Sequence, residues 1–258
     1  MHDGRLIARE RRQRVLEIVE STGIASVREL AHRLDVAPIT ITRDLQELEQ
    51  EGLIRRVRGG AISVRGASYE PPFSARETHL HAEKRRIAEK AVELVRDGDS
   101  IILDVGTTTL EIAHALKGKR NLTVLVSNLR GAFALANLAA IQVIVVGGRL
   151  RSSELSMVGH LAEQTLRSFQ VDKAFIGVGG ITLEHGLTEF NVDEAGTKKA
   201  MLERARQRIV VADHTKFGKM MLAAVAPVGA VDMIITGSEV DRDIVRPLQD
   251  AGVEIVLA

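Results

Sequence analysis

The sequence predicts an α/β protein in two parts: an N-terminal winged helix-turn-helix, then a mostly parallel sheet with helices on both faces. Three observations carry the prediction. Residues 9–64 spell three short helices and an arginine-tipped hairpin, and from residue 83 onward strand-length apolar runs alternate with helical periodicity. Small or polar residues then gather where those strands end. The domains are accordingly expected at 1–64 and 83–258, joined by a linker over 65–82.

Val15, Leu16, Ile18 and Val19 mark a first helix from Arg9 to about Ser21, stopped by Thr22-Gly23; Arg9, Arg11, Arg12 and Arg14 crowd its first half. Ser26-Val27-Arg28-Glu29 fits a capping box, in which the serine hydroxyl takes one free N–H and the glutamate reaches back to another. The helix it opens buries Val27, Leu30, Ala31 and Leu34. Asp35-Val36-Ala37 makes a tight turn, and Pro38 suits the first position of a third helix. There Ile41, Leu45 and Leu48 form the buried stripe, which turns Ile39, Thr42, Arg43 and Gln46 outward, with Thr40 and Glu47 on the flanks. Gly52 stops the helix.

Leu53 to Val64 reads as a hairpin turning at Gly59-Gly60, with Arg55, Arg56 and Arg58 on or beside its tip. In this order the parts make a helix-turn-helix with a wing, a motif whose last helix enters the major groove of DNA. Thr42, Arg43 and Gln46 are placed to read bases; Thr40, Arg55, Arg56 and Arg58 are placed to hold the backbone. Histidines aside, every basic residue before Lys84 is an arginine, whose planar fork suits phosphate and base edges. A three-helix protein-interaction module with solvated charges is the alternative for this region.

Residues 65–82, with Gly66, Pro71 and Pro72, lack periodicity; Glu70-Pro71-Pro72-Phe73 is expected to lie extended against the second domain. A helix follows from about Glu83 to Val95. Strands are expected at 100–104, 122–127, 142–147, 174–178, 208–212, 221–226, 233–236 and 253–257. Helices are expected around 109–116, 130–139, 160–169, 192–205 and 241–251. In such a sheet ligands sit beyond the carboxyl ends of the strands. At those ends stand Asp104 with Gly106-Thr107-Thr108-Thr109, Ser127-Asn128, Gly147-Gly148-Arg149 and Gly177-Val178-Gly179-Gly180. Farther on come Asn191, Glu194 and Lys198, then Asp213-His214-Thr215-Lys216-Phe217-Gly218. A Gly/Thr loop ahead of a helix offers backbone N–H groups and hydroxyls to a phosphate.

Composition narrows the chemistry. With 35 basic and 34 acidic residues, an affinity for nucleic acid rests on where charges sit rather than on their sum. The absence of cysteine excludes disulfides, thiolate metal sites and a cysteine nucleophile. The histidines show no paired metal-ligand spacing, so no metal and no cofactor is expected. No G-x-S-x-G elbow accompanies Asp213-His214-Thr215, and no catalytic residue is assigned. Neither a Walker A pattern nor G-x-G-x-x-G occurs, which favours a ligand the size of a sugar phosphate over a nucleotide. No apolar run approaches the length of a membrane span and the N-terminus is unlike a signal peptide, so a cytoplasmic protein with no membrane partner is expected.

Pro38-Ile39-Thr40-Ile41-Thr42-Arg43-Asp44-Leu45 looks like the reading-helix signature of the DeoR family of bacterial transcriptional regulators, and Leu53 to Ala61 like its wing. Glu83 to Ala88, Leu103 to Thr108, Gly147 to Leu150, Asp172 to Gly177, Gly186 to Thr188 and Asp213 to Gly218 match in order, so the resemblance covers nearly the whole chain. It implies a repressor, usually of sugar or polyol catabolism genes, released from DNA by a phosphorylated sugar in the C-terminal domain. Two residues depart from the pattern: Ala37 stands where a capping serine is usual, and Thr42 where an arginine is usual.

The family's sensor domain resembles ribose-5-phosphate isomerase, in which a Gly/Thr/Ser loop holds the phosphate and an Asp-Gly-Ala-Asp-Glu segment follows a later strand. Here that place holds Gly177 to Ile181, without a carboxylate, which implies binding without turnover, although Glu194 could serve as a base. On this reading Gly106, Thr107 and Thr108 hold the effector's phosphate, with Lys84 as counter-charge, while Asp104, Asn128, Glu194 and Lys216 contact hydroxyls. A sugar-phosphate isomerase with a fused DNA-binding head is the alternative; an activator, or a regulator with another phosphorylated effector, is a third possibility. One winged module reads few base pairs, so a homodimer or tetramer is expected.

Overall fold

The computed structural model describes residues 8–63 and 66–258. The chain falls into two compact units, one ending at His79 and one running Leu80–Ala258. The expected boundary between Val64 and Arg65, and the expected end of the hairpin at Val64, lie outside the described residues, as do residues 1–7.

The first unit runs α1 (Ala8–Thr22), β1 (Ile24–Ser26), α2 (Val27–Leu34), α3 (Pro38–Gln50), β2 (Ile54–Val57), β3 (Gly60–Ser63) and α4 (Phe73–Thr78). Ser26 caps α2 by accepting from the Glu29 N–H at 3.1 Å. Only this half of the capping box is seen, because the Glu29 carboxylate pairs with Arg33 at 3.0 Å instead. Asp35 ends α2 in the left-handed region (φ 50, ψ 51), and Pro38 opens α3 behind Ala37, which offers no side-chain cap. Val15, Val19, Leu30, Ile41, Leu45 and Ile54 share one core. Asp44 is buried among them and takes both Arg11 Nε (2.6 Å) and Nη2 (3.0 Å), which locks α1 to the reading helix.

The wing differs from expectation in two ways. β1 joins it, so that the sheet order is β1-β3-β2. The hairpin turns at Arg58-Gly59, where Gly59 supplies the φ of 82, and Gly60 is instead the first residue of the central strand. A Cβ at Gly60 would strike the Ala25 carbonyl oxygen. Gly60→Ala is therefore expected to destabilise this sheet by about 1–3 kcal/mol, the usual effect of overpacking. Native-state hydrogen exchange at the β1–β3 amides reads it; unchanged protection would show that the close approach of β1 is dispensable.

The stretch expected to be an extended linker against the second domain belongs to the first unit. Tyr69 donates its hydroxyl to Glu20 of α1 at 2.9 Å, and Pro71-Pro72 leads into α4, anchored by the buried Phe73. Arg76 lies 5.6 Å from the centre of the Phe73 ring and donates to the Pro71 carbonyl. A buried aromatic and a proline-started turn override the lack of periodicity.

The second unit begins with α5 (His81–Glu93), β4 (Ser100–Leu103), α6 (Thr107–Ala115), β5 (Leu122–Val126), α7 (Leu129–Leu135) and β6 (Ile141–Val145). There follow β7 (Arg149–Arg151), β8 (Ser156–Val158), α8 (His160–Arg167), β9 (Val171–Ile176), β10 (Gly180–Thr182), β11 (Gly186–Glu189) and α9 (Val192–Arg204). Last come β12 (Ala205–Val211), β13 (Ala223–Ala226), β14 (Met233–Thr236), α10 (Arg242–Asp250) and β15 (Glu254–Leu257). Seven strands form one parallel sheet in the order β15-β14-β12-β9-β4-β5-β6. Successive strand residues enter opposite cores: Ile101, Leu103, Val124 and Val126 pack with Ile87 and Ile112, whereas Ile102, Leu125 and Ala174 pack with Leu166 and Met201.

The expected strand at 221–226 is not part of that sheet. β13 pairs antiparallel with β11, which pairs with β10. Residues of β13 alternate between buried and more exposed, a pattern unsuited to a strand covered on both faces. β7 and β8 form a separate hairpin. No helix among the described residues is long and apolar enough to cross a membrane.

Candidate functional site

On the first unit the outer face of α3 presents Ile39, Arg43 and Gln46 to solvent, with Thr40 and Thr42 half-buried at its edges. Thr42 donates its hydroxyl to the Pro38 carbonyl at 3.0 Å, which leaves that hydroxyl with acceptor capacity only. Arg43, Arg55 and Arg58 are exposed and make no ion pair among the described residues. Arg56 is engaged by Glu49, which accepts its backbone N–H at 2.8 Å and stands 4.0 Å from its guanidinium. Ile39 was not among the expected contacts, yet it is 61% exposed at the start of the helix that would enter a groove, where an apolar side chain suits a thymine methyl.

In the second unit the carboxyl ends of the central strands bring a polar group together. Asp104 leaves β4, and Gly106 (φ 147, ψ 164) turns the chain into α6. That helix starts two residues earlier than expected, so Thr107, Thr108 and Thr109 are its first turn rather than a loop. Their backbone N–H groups lie at a helix N-terminus, where partial positive charge gathers. Thr109 donates to the Gly106 carbonyl at 3.0 Å, while the Thr107 and Thr108 hydroxyls make no hydrogen bond among the described residues. Asn128 spends both ends of its amide on backbone: Oδ1 accepts from Gly131 N–H at 2.7 Å, and Nδ2 donates to the Asp104 carbonyl at 3.2 Å. It therefore ties the end of β5 to the end of β4.

Asp104, Glu189, Glu194 and Lys198 form a buried charge cluster. Lys198 donates to Asp104 Oδ2 and lies 3.3 Å from Glu189 Oε2. Gly177 N–H gives Asp104 Oδ2 a second donor at 2.9 Å. Glu194 Oε1 accepts from Ser156 on the β7–β8 hairpin and is 3.4 Å from Arg151. Burial opposes the Lys198 ammonium, but Asp104, Glu189 and Glu194 outweigh it and hold the lysine charged. Burial raises the Asp104 carboxyl, with the Lys198 ammonium beside it pulling the other way. Burial also pushes Glu194 up to about 7 against the pull of Lys198. Two buried oxygens of the site, Asp104 Oδ1 and Ser127 Oγ, have no hydrogen-bond partner among the described residues.

The Glu194 shift has a consequence for stability. The unfolded chain releases this proton near 4.5 and the folded chain near 7, so the folded state binds more protons in between. Its contribution is fully present below 4.5 and falls away as pH rises to 7, a change of about 3 kcal/mol from a shift of this size. Glu194→Gln, which mimics the protonated form, should lose that slope. Urea denaturation of both proteins at pH 5 and pH 8 checks it; parallel pH profiles would contradict it.

Of the other expected contacts, Lys84 is buried in the first turn of α5, and Lys216 is half-buried in the 3-10 turn after β12. Glu83, next to Lys84, accepts both the backbone N–H of His214 (2.8 Å) and a ring nitrogen bond to it (2.8 Å). Sequence reasoning missed Glu189 and Ser156 as site groups, and noted Ser127 and Lys198 without assigning them. The i,i+4 spacing of Glu194 and Lys198 places both on one face of α9 and was the available signal. The lack of a carboxylate in Gly177 to Ile181 does not leave the site without one, because β11 and α9 supply Glu189 and Glu194.

Residues 11–66 match the DeoR-like helix-turn-helix domain, and residues 79–238 match the DeoR C terminal sensor domain. The chain is 32% identical over 249 residues to the HTH-type transcriptional regulator GolR of Listeria innocua, covering 96% of this chain and 98% of that one. It is 32% identical over 248 residues to the glycerol-3-phosphate regulon repressor of Escherichia coli K12, with the same coverage of 96% and 98%. A putative aga operon transcriptional repressor of Escherichia coli O157:H7 is 34% identical over 250 residues, covering 96% and 93%. Among solved structures, ribose 5-phosphate isomerase A from Methanocaldococcus jannaschii aligns with a TM-score of 0.39 at 19% identity over 52% of each chain, too loosely to bear on activity.

Proposed function

The chain belongs to the DeoR family of transcriptional regulators, and from that premise we propose a repressor of sugar or polyol genes that a phosphorylated sugar lifts from its operator. In this reading Thr42, Arg43 and Gln46 read bases, while Thr40, Arg55, Arg56 and Arg58 hold the backbone. Gly106, Thr107 and Thr108 grip the phosphate, with Lys84 as counter-charge, and Asp104, Glu194 and Lys216 contact hydroxyls. Asn128 acts by positioning Asp104. The domains divide as 1–64 for DNA and 83–258 for the effector, and the protein works in the cytoplasm as at least a homodimer, since one winged module reads too few base pairs.

The observation that carries the effector reading is Asp104 Oδ1, a buried acceptor without a partner two residues before the α6 N-terminus. A helix N-terminus invites an anion, and an unsatisfied buried acceptor invites a hydroxyl. A sugar phosphate brings both. To switch, it must favour an arrangement of DNA-binding units that misfits the operator, because equal affinity for both states shifts nothing.

A gel-shift on DNA upstream of the protein's own gene, titrated with a panel of sugar and polyol phosphates, tests the regulator reading. Release by one member supports it, and tighter binding would make the protein an activator. Isomerisation of ribose 5-phosphate that Glu194→Gln abolishes would replace sensing with catalysis.

A further inference from the structure

Around Asp104 the buried groups divide unevenly between donors and acceptors. Lys198 Nζ is committed to two carboxylates, Asp104 and Glu189. Arg151 is turned to a third, Glu194, at 3.4 Å. Lys198 and Arg151 are thus each already facing a carboxylate. At the ends of β4 and β5, two buried oxygens have no hydrogen-bond partner among the described residues: Asp104 Oδ1, an acceptor, and Ser127 Oγ, which both gives and accepts. Leu103 and Val126 are paired in register, so Asp104 and Ser127 occupy the next positions beyond β4 and β5, side by side at the mouth of the sheet. Asp104, Ser127, Glu189 and Glu194 are each no more than 6% exposed, so water does little to screen what meets them.

Such a wall suits hydrogen-bond donors without charge. A hydroxyl gives its hydrogen to Asp104 Oδ1 and exchanges one with Ser127. A carboxylate or a second phosphate brings acceptors and negative charge against carboxylates that already hold Lys198 and Arg151. Resting on the reading of this unit as a sensor of phosphorylated ligands, we propose that the wall is a charge filter. The site takes singly phosphorylated sugars and polyols by a neutral hydroxylated end and turns away the matching acids and bisphosphates. Asp104 and Ser127 receive the hydroxyls; Glu189 and Glu194 set the exclusion. The proton affinity of Glu194 agrees with this, since at neutral pH the wall takes up a proton rather than hold its full negative charge.

Calorimetric titration of the full chain with matched pairs tests the filter. The pairs are glycerol 3-phosphate with 3-phosphoglycerate, glucose 6-phosphate with 6-phosphogluconate, and fructose 6-phosphate with fructose 1,6-bisphosphate. In whichever pair binds, the hydroxyl member should bind at least about tenfold tighter. Glu189→Gln should narrow that gap. Ser127→Ala should weaken the hydroxyl member several-fold without lowering the melting temperature, because its hydroxyl has no partner to lose in the free protein. Equal or tighter binding of the acid or bisphosphate overturns the filter and leaves the phosphorylated-ligand sensor standing. A gap that Glu189→Gln leaves untouched overturns the assignment to this wall, as does unchanged affinity in Ser127→Ala. Silence of all six compounds removes the sensor reading and the filter with it.

Discussion

Lys198→Met is expected to destabilise the second unit by about 3–5 kcal/mol at pH 8, the usual cost of stranding a buried charge partner. The lysine is 2% exposed, and its ammonium is the counter-ion of Asp104 and Glu189. Removing it leaves these carboxylates and Glu194 in one desolvated volume. They can relieve the strain only by taking up protons, so the loss should shrink as pH falls towards 5. Denaturant unfolding at the two pH values measures it. A loss below about 1 kcal/mol, or one independent of pH, would mean that water reaches the cluster and screens it. Adding Glu189→Gln to Lys198→Met should recover part of the loss, because one fewer stranded carboxylate remains.

Arg43→Ala should remove the protein's preference for its operator over unrelated DNA. The Arg43 side chain is exposed on the outer face of α3 and pairs with no carboxylate among the described residues, so its fork is available to a guanine edge. A bidentate contact of that kind discriminates by about 1–3 kcal/mol, roughly 5- to 150-fold in affinity. With the Thr42 hydroxyl bonded back to Pro38, hydrogen-bond readout from this helix falls mainly to Arg43 and Gln46. Arg56→Ala should behave differently, weakening all DNA alike and lowering the salt slope by about one unit. Fluorescence anisotropy with operator and scrambled duplexes over a salt series separates the two. Undiminished preference in Arg43→Ala would sink the assignment of this face.

Much of this was legible because the informative patterns are local. The stripe of Ile41, Leu45 and Leu48, the Pro38 start of α3 and the alternation of strands and helices all act within a dozen residues. β1 escaped notice because three residues are too few to show alternation, and what makes it a strand is its partner β3, far along the chain. β13 was recognised as a strand but placed in the wrong sheet, since sheet membership is decided by pairing with β11. The same holds for the charge cluster. Lys198 and Asp104 are separated by 94 positions, and only the fold makes one the counter-ion of the other. Asn128 shows the converse: its polarity and position at a strand end were visible, but its commitment to two backbone partners was not.

Asp104 and the first residue of α6, Thr107, are three positions apart, with Asn128 clamping the carbonyl between them and β5. The phosphate grip and the hydroxyl acceptor are therefore graduations on a single rigid ruler, and a ligand is measured by how far it extends beyond both. A change of effector during evolution has little room to act on that ruler without loosening the sheet end. It falls instead to the opposite jaw, on β11 and α9, where exchanging Glu189 or Glu194 rewrites preference while leaving the anchor intact. Paralogues with different diets should differ there first.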